Sequence, residues 1–183
     1  YFGDEAATRE AFVEDWFRSG DIGEVDEDGF LTITGRKKEI LVTAGGKNVA
    51  PAPIEDPLRA NPIIGQVVVI GDQKPFIGAL ISLDPEMLPI WLANNGADKD
   101  MSLTQAAKSP IVLAEIQKAI DRVNKNVSRA ESIRKFVVID QELTEESGHL
   151  TPSLKIKREA VLRDFAPAIA ELYGSAPDTS EIV

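Results

Sequence analysis

The sequence predicts an α+β fold: a short antiparallel sheet of about three strands and a separate two-stranded hairpin, with helices packed on the sheet. Runs that alternate apolar and polar residues dominate the first half of the chain and are separated by turn residues. Runs with apolar residues three and four positions apart dominate the second half. Strands grouped in hairpins and followed by helices indicate that the helices cover one face of the sheet.

The first half of the chain contains mainly strand signals. Asp4 is a suitable cap for a short helix, and Asp28-Gly29 supplies the tight turn of a hairpin. Pro51 lies near the start of another helix, where proline is favoured. The predicted elements are a helix over residues 4–13, a hairpin over 24–34, a small hairpin pairing 39–42 with 47–50, a helix over 51–59, and an antiparallel pair of strands over 66–71 and 76–83.

The second half contains mainly helix signals. Ser109-Pro110 begins the clearest helix, which carries one apolar stripe formed by Val112, Leu113, Ile116, Ala119, Ile120, Val123 and Val127. Pro167 is expected to break the last helix, because proline removes a backbone donor and clashes with the preceding turn. The remaining predictions are a helix-prone stretch over 84–109, a strand over 134–140, an exposed polar loop over 141–151, a last helix from near Lys155, and a disordered tail over 175–183.

The size and polarity of the chain suit one small core. The 183 residues are 43% hydrophobic and 27% charged, enough for one domain or for a small domain with a piece of another. No run approaches the roughly 20 apolar residues of a membrane span, and no signal-peptide pattern is visible. The chain opens at Tyr1 without a methionine, so we interpret it as a fragment.

The residue types exclude several classes of site. The absence of cysteine excludes disulfides, cysteine nucleophiles and thiolate metal sites. A single histidine, His149, supports neither a histidine metal site nor a Ser-His-Asp triad, so no metal site is predicted. The net charge of −10 argues against nucleic acid as a partner, because phosphate binding requires clustered Lys and Arg.

A composition change at residues 35–38 marks a candidate domain boundary. The hairpin upstream of it lacks enough chain to form its own core, so we expect it to need a partner surface. The segment downstream is long enough to form a compact unit.

Three motifs follow one another along the chain. Residues 16–23 read WFRSGDIG, and residues 150–158 read LTPSLKIKR. Between them, GRKKEI over 35–40 continues through GGKNVAP over 45–51 to Ile54-Glu55. In this order and spacing the motifs resemble the closing motifs of the adenylate-forming superfamily, which contains acyl-CoA synthetases, beetle luciferases and the adenylation domains of peptide synthetases.

The resemblance implies a division of the chain and a function. Residues 1–36 would be the tail of a large N-terminal adenylating domain, and residues 37–174 a mobile C-terminal domain. The full enzyme would be an ATP-dependent long-chain fatty acid–CoA ligase, which forms acyl-AMP and then acyl-CoA by alternating its domains. The isolated chain is expected to be inactive. Two alternatives stay open: a fatty acyl-AMP ligase that loads a carrier protein, and a non-catalytic interaction module that retains the fold.

The first two motifs supply three candidate residues. The resemblance implies that Asp21 binds the ribose hydroxyls of ATP, and that Arg36 contacts the nucleotide. It places Lys38 at the hinge about which the domain turns. The alternatives are a turn aspartate bonded to its own backbone, a surface arginine and an ordinary exposed lysine.

The remaining candidates lie in the glycine turn and the last motif. The resemblance places Gly46, with Gly45, against the pantetheine arm of CoA, although a tight hairpin turn would also use these glycines. It implies that Lys155 is catalytic, because its charge would stabilise phosphoryl and carboxylate oxygens during acyl-AMP formation. The family usually places glycine before this lysine; here Leu154 stands there, which resembles the long-chain branch. Lys157 is the alternative catalytic lysine, and a basic first helical turn would explain both.

The resemblance also implies the cofactors and partners. ATP and Mg would be bound mainly by the absent N-terminal domain, and CoA would be a co-substrate. That domain would be the protein partner, with a fatty acid as the other substrate. We expect a cytoplasmic protein and leave peripheral membrane contact open. His149, Trp16 and Trp91 are interpreted as structural, the histidine solvated in its loop and the tryptophans filling a core or an interface.

Overall fold

A three-stranded sheet forms the centre of the computed structural model, which describes residues 2–174. Its strands are β7 (Ile64–Ile70), β8 (Ile77–Leu83) and β9 (Ile133–Ile139), in that spatial order. The α+β class is confirmed, as are the three predicted strands. The predicted tail over 175–183 lies outside the described residues.

The pairing of the third strand differs from the prediction. β7 is antiparallel to β8, as expected, but β9 runs parallel to β8, so the sheet is mixed. The connection over residues 84–132 contains three helices: α3 (Met87–Asn94), α4 (Leu103–Ala106) and α5 (Pro110–Asn124). A parallel neighbour requires a crossover of this kind, because the chain must return to the end of the sheet where it started.

Helices cover both faces of the sheet, so the expectation of one covered face is wrong. All seven residues of β8 are buried. In β7, Val67 and Val69 belong to one buried cluster and Val68 and Ile70 to another, since successive side chains point to opposite faces. The first cluster also contains residues of α2 (Ala52–Arg59), α3 and α5, and the second contains residues of α6 (Arg158–Asp164) and α7 (Ala166–Gly174).

Helix α5 packs through the predicted stripe. Its buried residues are Val112, Ile116, Ala119, Ile120 and Val123. Leu113 and Val127, which the stripe also included, are half-buried. Pro167 lies in the first turn of α7, directly after the break between α6 and α7 at Phe165, so the helix is interrupted where the sequence indicated.

The first part of the chain consists of one short helix and three hairpins. Asp4 caps α1 (Glu5–Ala11) by accepting a hydrogen bond from the Ala7 amide at 2.8 Å. The helix ends earlier than predicted, because the next residues form a small hairpin. The hairpins are β1 (Phe12–Val13) with β2 (Trp16–Phe17), β3 (Asp21–Val25) with β4 (Leu31–Arg36), and β5 (Leu41–Val42) with β6 (Asn48–Val49). The last two pairs confirm predictions.

Residues 2–33 expose many large apolar side chains. Helix α1 buries no residue, and strands β1 to β3 have none that is fully buried. Clustered exposed apolar residues mark interaction surfaces, which agrees with the expectation that this segment needs a partner surface. The exposed residues are Phe2, Phe12, Val13, Trp16, Phe17, Ile22, Val25, Phe30, Leu31 and Ile33.

Two features of the last part of the chain differ from expectation. The predicted exposed loop over 141–151 contains three buried residues, Leu143, His149 and Leu150, which pack against α6 and the sheet. The helix that the sequence placed from near Lys155 is α6, which begins three residues later at Arg158 and ends before α7. Among residues 2–174, no helix combines the length and the apolar character needed to cross a membrane.

Candidate functional site

Lys155 lies in a narrow loop that precedes α6. An isolated antiparallel bridge pairs Leu150 with Ile156 and closes the loop. The Thr151 amide donates to the Lys155 carbonyl at 2.8 Å, and the Lys157 amide donates to the His149 carbonyl at 2.8 Å. The interpretation of Lys155 as part of a basic first helical turn is therefore wrong, and its exposed side chain projects from an ordered loop.

Short-range hydrogen bonds shape the tip of this loop. The Thr151 hydroxyl accepts from the Lys155 amide at 3.1 Å and lies 3.0 Å from the Ser153 hydroxyl. The Leu154 amide donates to the Thr151 carbonyl at 2.8 Å. Leu154 has φ of 60°, in the left-handed region that favours glycine. The position before Lys155 therefore has a backbone conformation that favours glycine, the residue that the family resemblance leads us to expect there.

The lysine loop borders a cleft of about 350 Å³ that also reaches the segment around Lys38. Glu39, which follows Lys38 directly, lines the cleft opposite the loop, so the second and third sequence motifs meet there. The wall of the cleft carries both acidic and basic side chains. The charged and polar residues of its wall are Glu39, Glu55, Arg59, Gln66, Lys155 and Arg158.

The floor of the cleft contains a buried ion pair. Glu55 of α2 is 5% exposed and lies 2.7 Å from Arg158 at the start of α6. Both side chains also bond the main chain of Val69: the Val69 amide donates to Glu55 at 2.7 Å, and Arg158 donates to the Val69 carbonyl at 2.8 Å. The sequence motifs included Glu55 and Arg158, but sequence reasoning gave neither residue a role.

Asp21 and Arg36 are brought together as the first pair of the β3–β4 ladder. Arg36 Nε lies 2.8 Å from Asp21 Oδ1. The Asp21 side chain is 26% exposed and that of Arg36 is 58% exposed, so both remain accessible to a ligand. The carboxylate of Asp21 thus bonds a side chain, and its amide donates to the Ser19 hydroxyl at 3.2 Å.

Lys38 occupies the middle of a single 3₁₀ turn, Lys37–Glu39, between β4 and β5. Its side chain is exposed. The Lys37 amide donates to the Gly20 carbonyl at 2.8 Å, so the turn begins where the first two motifs touch. Lys38 thus lies in a short connection between two site residues: Arg36, which ends β4, and Glu39, which lines the cleft.

Gly45 and Gly46 form the exposed tip of the β5–β6 hairpin. Gly46 has φ of 78°, so the turn itself requires a residue that tolerates the left-handed region. A Cβ at Gly45 would meet only the Thr43 hydroxyl, at 3.9 Å, and its φ is not positive. The fold thus explains Gly46, whereas space for a close-lying ligand would explain Gly45.

An ion pair ties the glycine turn to the segment before β9. Lys47 Nζ lies 3.4 Å from Glu131 Oε1. The Ser128 hydroxyl donates to Glu131 at 2.6 Å and, as the largest contribution, lowers the pKa of Glu131. The lowered pKa favours the ionised carboxylate, which lies within ion-pair distance of Lys47.

His149 is buried in the base of the lysine loop, so the expectation of a solvated histidine is wrong. Its Nδ1 lies 2.8 Å from the Ser147 hydroxyl, and its Nε2 lies 3.1 Å from Asp164 Oδ2. Its structural role is nevertheless supported by these contacts. Trp91 packs partly buried against the core, while Trp16 is 78% exposed on the apolar segment.

Comparison with known proteins decides the family. Residues 38–177 match the family described as AMP-binding enzyme C-terminal domain. The chain belongs to this family. Long-chain-fatty-acid–CoA ligase FadD15 from Mycobacterium tuberculosis is 55% identical over 173 residues, which cover 94% of the chain and 29% of the relative. Long-chain-fatty-acid–CoA ligase ACSBG2 from Gallus gallus is 37% identical over 201 aligned positions. That alignment covers 99% of the chain and 26% of the relative.

Solved structures agree on the fold of this AMP-binding enzyme C-terminal domain. The adenylation domain of a carboxylate reductase from Mycobacterium chelonae superposes with a TM-score of 0.73 at 24% identity. The match covers 96% of the chain and 26% of that structure. The chain thus spans less than a third of the curated relatives and of this neighbour.

Between residues 2 and 174, no group of three or more His, Cys, Asp or Glu side chains is arranged to hold a metal ion.

Proposed function

We propose that this chain is the mobile part of an ATP-dependent long-chain fatty acid–CoA ligase. The observation that carries the proposal is the 55% identity to FadD15 over nearly the whole chain. In the proposed reaction, a fatty acid carboxylate attacks the α-phosphorus of ATP, and pyrophosphate leaves as acyl-AMP forms. The thiol of CoA then attacks the acyl carbonyl, and AMP leaves as the thioester forms.

Lys155 would act in the first step. Negative charge builds up on the phosphoryl oxygens in the transition state, and an ammonium group stabilises it best when it is positioned beforehand. The exposed Lys155 on an internally bonded loop supports this role. Lys157 is a weaker candidate, because its amide pairs with His149 at the base of the loop, away from the tip.

The nucleotide would be held where the first two motifs meet. Asp21 has a carboxylate suited to a ribose diol, and Arg36 has a fork of donors suited to phosphate or ribose oxygens. Their 2.8 Å ion pair supports joint action on one ligand, since each keeps the other oriented. ATP would bring Mg to a site formed by the preceding domain of the full-length enzyme.

The second step would use another surface of the same domain. The exposed Gly45-Gly46 turn has room for the pantetheine arm of CoA to lie along the backbone. The domain would turn about Lys38 to exchange the lysine loop for this turn. A single 3₁₀ turn between two strands supports such a hinge, because a few residues there can absorb a change in φ and ψ.

A product assay of the full-length enzyme tests the proposal. The enzyme is incubated with ATP and a long-chain fatty acid, and either CoA or an acyl carrier protein supplies the thiol. We expect thioester formation on CoA and none on the carrier protein. Transfer to the carrier protein alone would instead indicate an acyl-AMP ligase. Failure to form acyl-AMP under any condition would indicate a non-catalytic module.

A further inference from the structure

Two residues that end sequence motifs meet in the structure although 103 positions separate them. Glu55 ends the second motif, and Arg158 ends the third. Arg158 Nη2 donates to Glu55 Oε1 at 2.7 Å, and Arg158 Nη1 donates to the Val69 carbonyl at 2.8 Å. The Val69 amide donates to the same Glu55 oxygen at 2.7 Å. Three hydrogen bonds thus join α2, α6 and β7.

The contact uses the open edge of the sheet. β7 is an edge strand, so alternate amide and carbonyl groups along it have no partner strand. Glu55 and Arg158 satisfy both groups of Val69. The guanidinium reaches a carboxylate and a carbonyl at once because its donors form a planar fork. A lysine at this position has a single ammonium and would not reproduce that geometry.

Burial makes the pair interdependent. The side chain of Glu55 is 7% exposed and that of Arg158 is 19% exposed. Removing one member of such a pair leaves a buried charge without compensation. The pair therefore has one preferred arrangement, and Arg158 has a fixed position relative to the sheet.

Arg158 directly follows the lysine loop. The loop ends with the Leu150–Ile156 bridge and the bond from the Lys157 amide to the His149 carbonyl. We propose that Arg158 and Glu55 are positioning residues, which fix the Lys155 loop on the edge of the sheet for acyl-AMP formation. The inference rests on the proposed function of Lys155. The thioester step, which would use the Gly45-Gly46 turn, should not depend on this contact.

The test uses Arg158→Lys in the full-length enzyme, because this variant keeps a positive charge beside Glu55. We expect acyl-AMP formation to slow by about 10-fold to 100-fold, since small displacements of a reacting group cost this much. Conversion of supplied acyl-AMP and CoA to thioester should change by less than about twofold. Hydrogen exchange of the Thr151, Leu154 and Lys155 amides should accelerate, while exchange in β8 stays unchanged.

Arg122→Lys is the matched control. Arg122 lies on α5, where it pairs with Glu115 at 3.9 Å, and it lines neither the cleft nor the lysine loop. We expect this variant to leave both half-reactions and the loop amides unchanged. If Arg158→Lys does not fold, Glu55→Gln provides a second test, because it removes the charge that pairs with Arg158 while its amide oxygen still accepts from the Val69 amide.

Four results would overturn the inference, the last of them together with the proposed role of Lys155. Equal losses in both half-reactions would show that the pair only stabilises the domain. Unchanged exchange of the loop amides would show that Arg158 does not hold the loop. Normal acyl-AMP formation in Arg158→Lys, with Lys155→Ala inactive in that step, would show that the loop needs no such support. If Lys155→Ala itself forms acyl-AMP normally, the proposed role of Lys155 fails, and the positioning role falls with it.

Discussion

At the scale of single residues, Leu154 stands directly before Lys155, where the family usually has glycine. Leu154 has φ of 60° and is 69% exposed, so it gains little burial to offset an unfavourable backbone conformation. An L-residue in the left-handed region costs about 1 to 2 kcal/mol, whereas glycine does not pay this cost. Leu154 thus occupies a position whose backbone conformation favours glycine, next to the proposed catalytic lysine.

Leu154→Gly should stabilise the domain. We expect the free energy of unfolding to rise by about 0.5 to 1 kcal/mol, because relief of strain exceeds the extra freedom of glycine in the unfolded chain. Urea denaturation of the purified chain measures this change. Leu154→Ala is the control, since alanine keeps the strain, and it should differ from the natural chain by only a few tenths of a kcal/mol. A glycine variant less stable than the alanine variant would contradict the account.

At the scale of elements, one phenol adds hydrogen bonds to the apolar packing of α7 on the sheet. The Tyr173 hydroxyl is shared between two acceptors, the Ile70 carbonyl at 3.1 Å and the Phe76 carbonyl at 3.2 Å. The ring stacks on Phe76 at 4.8 Å between centroids, and Lys74 Nζ lies 5.1 Å from its centre. Burial raises the pKa of Tyr173 to about 12. Its neutral form is thus favoured in the folded state.

Tyr173→Phe should weaken the domain in a pH-dependent way. At neutral pH, we expect a loss of about 1 kcal/mol from the missing hydrogen bond. The raised pKa means that this tyrosine stabilises the fold fully below about pH 10 and loses that contribution as the pH rises toward about 12. The difference in unfolding free energy between the natural chain and the variant should therefore shrink over this interval. Urea denaturation at several pH values would refute the idea if the difference stayed constant.

The elements also show what the sequence can and cannot predict. Local chemistry was sufficient for the Asp28-Gly29 hairpin and for the α5 stripe, because turn residues and apolar spacing act within a few positions. The parallel pairing of β9 was missed because it depends on where a long crossover returns the chain. The burial of His149 was missed for a similar reason, since its cover comes from α6 and its partner Asp164 lies 15 positions away.

In the candidate site, too, contacts between neighbouring elements could be predicted and contacts between distant elements could not. The family resemblance implied roles for Asp21 and Arg36, and the hairpin register places the two residues side by side. The contact between Glu55 and Arg158 was not predictable, because it depends on an edge strand that neither motif contains. The left-handed conformation of Leu154 was signalled only by the family's usual glycine at this position.

At the scale of the whole molecule, the chain contains a covered sheet and an uncovered apolar segment. Residues 37–174 bury two clusters of side chains, one on each face of the sheet. The segment over 2–33 exposes its aromatic residues. The proposed ATP and acyl sites would lie in the remainder of a longer enzyme, and we propose that this segment packs against that remainder.

The isolated chain should fold without making acyl-AMP. Positioning of both substrates supplies much of an enzyme's rate, and this chain would provide only part of the site. We expect no fatty-acid-dependent pyrophosphate release above that of a Lys155→Ala control. Release above this background from the purified chain would show that the proposed division of labour is wrong.

Lys38→Pro in the full-length enzyme should separate the two half-reactions. Proline fixes φ near −65° and restricts Lys37 before it, so a hinge at this turn loses one of its two conformations. We expect pyrophosphate release to persist and thioester formation to collapse. Single-turnover experiments measure each step, with Lys38→Ala as a control that keeps backbone freedom. Near-normal rates in both steps would show that the domain turns elsewhere, and equal losses would indicate misfolding.

The central claim is that one small domain presents Lys155 for the first half-reaction and another surface for the second. The most direct measurement compares Lys155→Ala with Lys157→Ala in the full-length enzyme, each half-reaction being measured separately. We predict that Lys155→Ala slows acyl-AMP formation by about 10² to 10³, the usual effect of losing one group that stabilises transition-state charge. Its conversion of supplied acyl-AMP and CoA to thioester should change little, and Lys157→Ala should be close to normal in both. Equal losses in the two half-reactions, or a larger loss in Lys157→Ala, would contradict the account.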